Sequence, residues 1–397
     1  MTDSGPRRDP GGVALFALGF RPFFTGAAVY AVLSVGAWTL VYTAGASLPV
    51  AGISLSEWHA HEMIYGYSAA VIAGFLLTAV RNWTGIDTVN GWPLLALFGL
   101  WTAARVCMLF GTELVHAAAV FDMLFAVGLA AAFAHPVFRV RKWKQLVMLT
   151  ILVLLAAGNA AFYLGCLGDV HQGARWGIYA GLYLVVGLIL IMGRRVIPLF
   201  IQGGVGYPVT VFNSKWIDRL VPIVFVMLLA ADVFASGRRA EPYLATALFA
   251  LNLVRLAGWH TPGIWRKPLL WSLYLAYAFV VLGFLLLALS GFGSVSRFLA
   301  IHSLTYGGIG LMTLSMMMRV SLGHTGRNVH HPPGAAFWCP LLLVVGAVFR
   351  VLLPLADMHH YIAWIAVSQA AWILAFAWLA VFLIPILVRP RIDGRPG

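Results

Sequence analysis

Residues 58–80 read WHAHEMIYGYSAAVIAGFLLTAV. His59, His61 and Glu62 stand at the front of this stretch, and from Met63 to Val80 it carries no charge. A helix crossing a bilayer needs roughly 20 mainly apolar residues, so the stretch reads as a membrane-spanning helix with ionisable groups at one end. Runs of the same kind lie at about 24–44, 60–80, 92–110, 115–135, 145–165, 176–198, 217–236, 242–258, 269–290, 297–318, 336–355 and 361–388. Each is apolar around its whole circumference, as helices in lipid or at the centre of a bundle are. The expectation is an all-α, polytopic membrane helix bundle with about 12 transmembrane helices.

Composition agrees. Of 397 residues, 61% are hydrophobic and only 10% charged, against about 25% charged in an ordinary soluble domain. Mean hydropathy is +0.90. A soluble enzyme, a disordered chain and a fibrous repeat are excluded. The net charge of +13 would suggest nucleic acid in a soluble protein. Here basic residues held on the cytoplasmic face explain it, so the expected surroundings are membrane lipid, with no nucleic-acid partner. Cys107, Cys166 and Cys339 form no CxxC or CxxCH motif. That excludes covalent c-type haem and argues against an iron–sulfur cluster or a zinc ribbon.

Residues 1–12, MTDSGPRRDPGG, read as a disordered cytoplasmic tail without the features of a signal peptide. Residues 13–397 read as a single transmembrane bundle. Most of the 26 Lys and Arg fall on the side of the two termini. Only Arg175, Arg238, Arg239 and Arg297 fall on the other side, with Arg105 and Arg350 inside helices. By the positive-inside rule both termini are cytoplasmic.

The 12 histidines are unevenly placed. His59, His61, His116, His171, His302, His359 and His360 map to the outer side. His59, His61 and His302 lie within about the first turn of strongly apolar helices, where an imidazole needs a partner or a metal. His59 and Glu62 are i, i+3 and share a face, whereas His61 and Tyr65 are i, i+4 and share another. His59 and His61 are about 200° apart on a regular helix, so they do not ligate one metal together. Glu62 is a carboxylate inside a membrane helix, a functional candidate by default.

In the tenth helix His302 is followed by Thr305 and Tyr306, then by Gly307, Gly308 and Gly310. Small residues there admit a neighbouring helix or a flat macrocycle. Met312 and Met316–Met318 read as core rather than as copper ligands. Arg105 and Asp122 lie at similar depth on successive antiparallel helices and are expected to pair. Arg350 has Asp357 nearby in sequence. Guanidinium forks such as Arg105 and Arg350 also suit haem propionates.

The segments GFRPFF from Gly19, WHAHEMIYGYSAAVIAGFLLTAVRNWTG from Trp58, GRRVIPLF from Gly193 and GIGLMTLSMMMRVSLGHTGR from Gly308 make the chain recognisable. It resembles the NnrS family of bacterial membrane proteins. The resemblance implies haem b and copper, nitric oxide as the small-molecule ligand, a role in denitrification or nitrosative-stress defence, and a place in the inner membrane. An oxidoreductase acting on nitric oxide is one form of that role. No electron donor is readable. Relatives often carry His where this chain has Tyr274. In this light His61 and His302 are expected as axial haem ligands, or as one haem and one copper ligand, each with Tyr65 or Tyr306 and a glycine gap walling a porphyrin. His59 would hold copper with His359 or His360, while Glu62 orients His59 or relays protons. The competing functions are a proton-coupled transporter using Glu62, Asp122 and Arg105, and a metal-delivery protein.

Overall fold

The computed structural model describes residues 14–47, 53–110, 114–234 and 239–395. The expected tail at residues 1–12 lies outside them. Among the described residues there are no strands, and the apolar runs form helical rods. These are α1 (Phe20–Ala44), α2 (Leu55–Thr84), α3 (Gly91–Leu109), α4 (Val115–Arg139), α5 (Trp143–Cys166) and α6 (Gly173–Gly204). They continue with α7 (Lys215–Phe234), α8 (Glu241–Trp259), α9 (Pro268–Gly291), α10 (Arg297–His324), α11 (Ala335–Ala356) and α12 (Tyr361–Leu387). All but α7 and α8 are long and apolar enough to cross a membrane, which makes this a multi-pass membrane protein.

The first and last helices are neighbours, α1 packing along α12. Helices α2 and α10 form the centre: 78% of each apolar window is buried, against 28% for α4 at the rim. The start of α1 and the ends of α10 and α12 share one face, the terminal face. There Arg21 donates to the carbonyls of Leu387 at 2.6 Å and Arg389 at 2.8 Å. The starts of α2 and α10 lie at the opposite face.

Among the described residues three segments inside the long helices wind wider than an α-helix. Glu62–Ser68 in α2, Ser303–Gly310 in α10 and Val348–Leu352 in α11 are π-helical. Such winding is rare and tends to occur at functional sites. The first two begin immediately after His61 and His302, and the third contains Arg350. Their altered hydrogen bonding is met from outside: Trp101 donates its indole N–H to the Gly66 carbonyl at 2.9 Å. Within the first segment, Ser68 Oγ returns to the carbonyl of Met63, five residues back, at 2.8 Å.

Glycine sets the closest approach. Helices α5 and α6 meet backbone to backbone: a Cβ on Gly177 would stand 2.5 Å from the Gly158 carbonyl and 2.6 Å from Phe162 Cβ. In a membrane, packing this close replaces the hydrophobic drive that water supplies elsewhere.

A latch closes the terminal face. Arg391 forks onto both oxygens of Asp393, at 2.8 and 2.6 Å, and donates to the His324 carbonyl at 2.9 Å. The Arg391 guanidinium holds the Asp393 carboxyl well below the usual carboxylate range. A group whose pKa is depressed on folding stabilises above its unfolded pKa and loses that contribution as pH falls through the folded value. The latch is therefore intact at neutral pH and opens only in acid, below the ordinary carboxylate range. Asp393→Asn is expected to speed hydrogen exchange of the amides around 388–395 at pH 7, with little change elsewhere. Gly177→Leu should separate α5 and α6 and lower stability by about 1–3 kcal/mol. Gly99→Leu, with no atom near its Cβ position, should be neutral. Thermal unfolding in detergent compares the two.

Candidate functional site

Two constellations stand at the face opposite the termini. The first is a buried polar knot around Arg105. Its guanidinium donates to Glu62 Oε1 at 2.5 Å and to both oxygens of Asp122 at 2.5 Å. Tyr163 donates to Asp122 Oδ2 at 2.7 Å, and Tyr30 donates to Glu62 Oε2. His61 lies in the same knot: its Nδ1–H donates to Glu62 Oε1 at 2.8 Å, and its Nε2 lies 2.8 Å from the Asn159 side-chain amide. The ring stacks on Phe162 at 4.2 Å and is fully buried. Arg105, Glu62 and Asp122 bring one positive and two negative charges together, and the surrounding Tyr30, Tyr163 and His61 hydrogen-bond the carboxylates. Pairing and hydrogen bonding of this kind are what a charged cluster in hydrocarbon requires.

The second constellation is His59, His302 and Arg350, one from each helix that carries a π segment. His59 stacks flat on Trp38, with ring centroids 4.6 Å apart and planes 9° apart. Its Nδ1 is buried with no hydrogen-bond partner. His302 donates Nδ1–H to the Phe298 carbonyl at 2.7 Å, leaving the lone pair on Nε2, which accepts from Arg350 Nη2 at 2.8 Å. The other terminal nitrogen of Arg350, Nη1, is buried without a partner. His59 is within electrostatic reach of both Arg350 and His302. Tyr42, Tyr306 and Tyr361 stand around Arg350 at similar range.

This arrangement re-sorts the expected residues. His61 and His302 are not brought together; His61 belongs to the knot and His302 to the second constellation. Glu62 does not orient His59; its carboxylate bonds its sequence neighbour His61, together with Arg105 and Tyr30. Arg105 pairs with Asp122 as expected and with Glu62 in addition, so both its terminal nitrogens are engaged while its Nε is not. Arg350 faces His302 rather than Asp357, because Asp357 accepts from His360 Nδ1 at 2.6 Å in the turn before α12. That hydrogen bond holds the Asp357 carboxyl below its ordinary value. His359 and His360 are exposed in that turn and join neither constellation.

The tyrosines and glycines are also accounted for. Tyr65 donates to the Gly177 carbonyl at 2.6 Å and Tyr306 to that of Ser368 at 2.7 Å. The gap at Gly66 is filled by Tyr30 and Arg105, since a Cβ there would stand 3.0 Å from Arg105 Nη1. Phe279 and Val280 of α9 fill the gaps at Gly307 and Gly308, and Trp372 of α12 fills that at Gly310. These glycines admit neighbouring side chains, not a macrocycle. Among the described residues no three His, Cys, Asp or Glu side chains gather as a ready metal cage.

Sequence reasoning missed Trp38, Tyr30, Asn159 and Tyr163. Asn159 had a signal, an amide in the middle of an apolar run. A second arginine fork was missed as well. Arg297 pairs with Glu241 and Asp232, and Tyr183 donates to Asp232 at 2.8 Å. It explains how α7 and α8 carry charges yet sit in the bundle.

Fold and site together define a polytopic helical membrane protein with a histidine–arginine centre and a buried charged knot at one face. A family model described as NnrS protein matches residues 14–391, nearly the whole chain, and the chain belongs to the NnrS family. Comparison with curated proteins finds no match.

The knot makes a stability prediction. Removing one partner from a buried pair strands the others and costs about 3–5 kcal/mol. Arg105→Met should lower the unfolding midpoint in detergent strongly, and Glu62→Gln with Asp122→Asn in the same chain should recover much of the loss. Equal stability of Arg105→Met and the parent would contradict the account.

Proposed function

We propose that this chain is a haem- and copper-containing protein of nitric oxide metabolism in the bacterial inner membrane, with both termini cytoplasmic. It would bind or turn over nitric oxide in denitrification or in defence against nitrosative stress. Membership of the family supports the class of function. The observation that carries the site is the unpartnered, buried Nδ1 of His59 beside a second imidazole, His302, whose tautomer is fixed.

The residues present fit such a group. His59 and His302 offer two imidazole donors from facing helices, as a bundle haem or a copper ion requires. The Phe298 carbonyl fixes His302 so that the Nε2 lone pair faces the site, the usual outer support of a ligating histidine. Trp38 holds the plane of the His59 ring. Arg350 covers His302 Nε2 and, once displaced from it, stays beside it as a cation able to hold a carboxylate. Tyr42, Tyr306 and Tyr361 give the surroundings an aromatic character. When bound, haem supplies a redox-active iron that takes nitric oxide as a ligand.

Glu62 is proposed as the proton-exchanging group. Its Oε1 accepts from His61 and its Oε2 from Tyr30, so a proton can pass at either oxygen without crossing hydrocarbon. His61 then acts through Glu62, not as a metal ligand.

Visible spectroscopy of purified protein tests this reading. The expected result is a Soret band with stoichiometric haem, lost in His59→Ala and in His302→Ala and retained in His61→Ala. Glu62→Gln should keep the band and lose nitric oxide turnover. A colourless, metal-free, active preparation would favour a proton-coupled carrier, and full haem in both His59→Ala and His302→Ala would reject the ligand assignment.

A further inference from the structure

At mid-depth, between the two central helices, lies a cavity of about 80 Å³. Phe24 of α1, Val71 of α2, Leu188 and Met192 of α6, and Met312 of α10 form its walls. Two hydroxyls also border it, Ser68 and Thr313. Neither has a proton to spare for a guest. Ser68 Oγ donates to the Met63 carbonyl at 2.8 Å. Thr313 Oγ1 is bonded to the Ile309 carbonyl and to the Tyr67 hydroxyl, both at 2.6 Å.

Water occupies a buried cavity when it finds two to four polar partners there. This one offers no donor and at most the lone pairs of two hydroxyls that are already bonded, too little to hold water. An apolar cavity of about 150 Å³ binds benzene or xenon; one about half that size is too small for benzene but takes a guest of one or two heavy atoms, xenon included. On one side the wall residues Phe75, Met192 and Met316 are only half-buried, which gives a path from the surrounding hydrocarbon, where apolar gases dissolve better than in water. The walls belong to the same helices as the histidine site. Met312 stands roughly three turns beyond His302 on α10, and Val71 a similar distance beyond His59 on α2. The π segments Glu62–Ser68 and Ser303–Gly310 lie between the site and the cavity.

We propose that this cavity is a holding site for a small apolar gas of one or two heavy atoms, which reaches it from the membrane and passes along α2 and α10 to the His59–His302 end. That the gas is nitric oxide rests on the function proposed above; the site itself does not.

Xenon is the probe, applied to the full-length protein under pressure and read by crystallography or by xenon-129 NMR. The expected result is one saturable xenon site touching Val71, Leu188 and Met312, abolished by Val71→Phe and, independently, by Leu188→Phe. Two outcomes overturn the proposal: no xenon in the parent protein, or the same xenon site in a folded filling variant. Continuous lipid or isoprenoid density through the cavity would also overturn it. In haem-loaded protein, nitric oxide recombination after flash photolysis should slow several-fold in the filling variants, and an unchanged rate would reject the feeding role. Xenon binding needs no haem, so loss of the haem reading and loss of the cavity reading are told apart.

Discussion

The Arg105 guanidinium is the contact on which the rest of the functional face depends. It draws Glu62 from α2 and Asp122 from α4 onto α3, and through them engages Tyr30 on α1, Tyr163 and Asn159 on α5, and His61. Hydrocarbon cannot solvate any of these groups, so each must find its partner inside the protein. The outcome is a rigid corner that fixes the start of α2. His59, two residues before His61, is thereby held against Trp38 with its Nδ1 unpartnered. The polar knot does not itself supply the open ligand; it positions the helix that does.

The π segments solve a related problem. An α-helix repeats its faces every three to four residues, so a polar group at its buried end tends to align with others along one stripe. Changing the winding directly after His61 and His302 lets each helix show one face to the functional end and another to the core below. The cost is a set of displaced backbone carbonyls, met by donors such as the Trp101 indole. The glycines that follow the histidines permit close packing around these segments, with Phe279 and Val280 seated against Gly307 and Gly308.

Much of the fold was legible because hydrocarbon imposes a simple code: uniform apolar runs of the right length, separated by charged loops. The concentration of histidines at one face was legible for the same reason, as polar residues stand out in so apolar a chain. The pairing within the site was not. Assigning Glu62 to His59 followed their i, i+3 spacing, and nothing in EMIYGYS signals that the carboxylate bonds His61, Arg105 and Tyr30 instead. The partners of Arg297 are 56 and 65 residues away, a separation that no local pattern encodes. Tyr30 looks like any aromatic residue of a membrane helix until the fold brings Glu62 to its hydroxyl.

The hydrogen bond from Arg350 to His302 bears on how such a protein is assembled. A bare imidazole lone pair in a membrane interior would be exposed to whatever metal or proton arrived first. Here the Arg350 guanidinium already occupies it through Nη2, while its Nη1 is left without a partner. Under the function proposed above, a group that takes the Nε2 lone pair does so by exchange with Arg350. Selectivity at loading then lies in the displacement, since an incoming group must compete with an intramolecular cation. An arriving group that brings its own anion to receive Arg350 has the advantage over a bare ion.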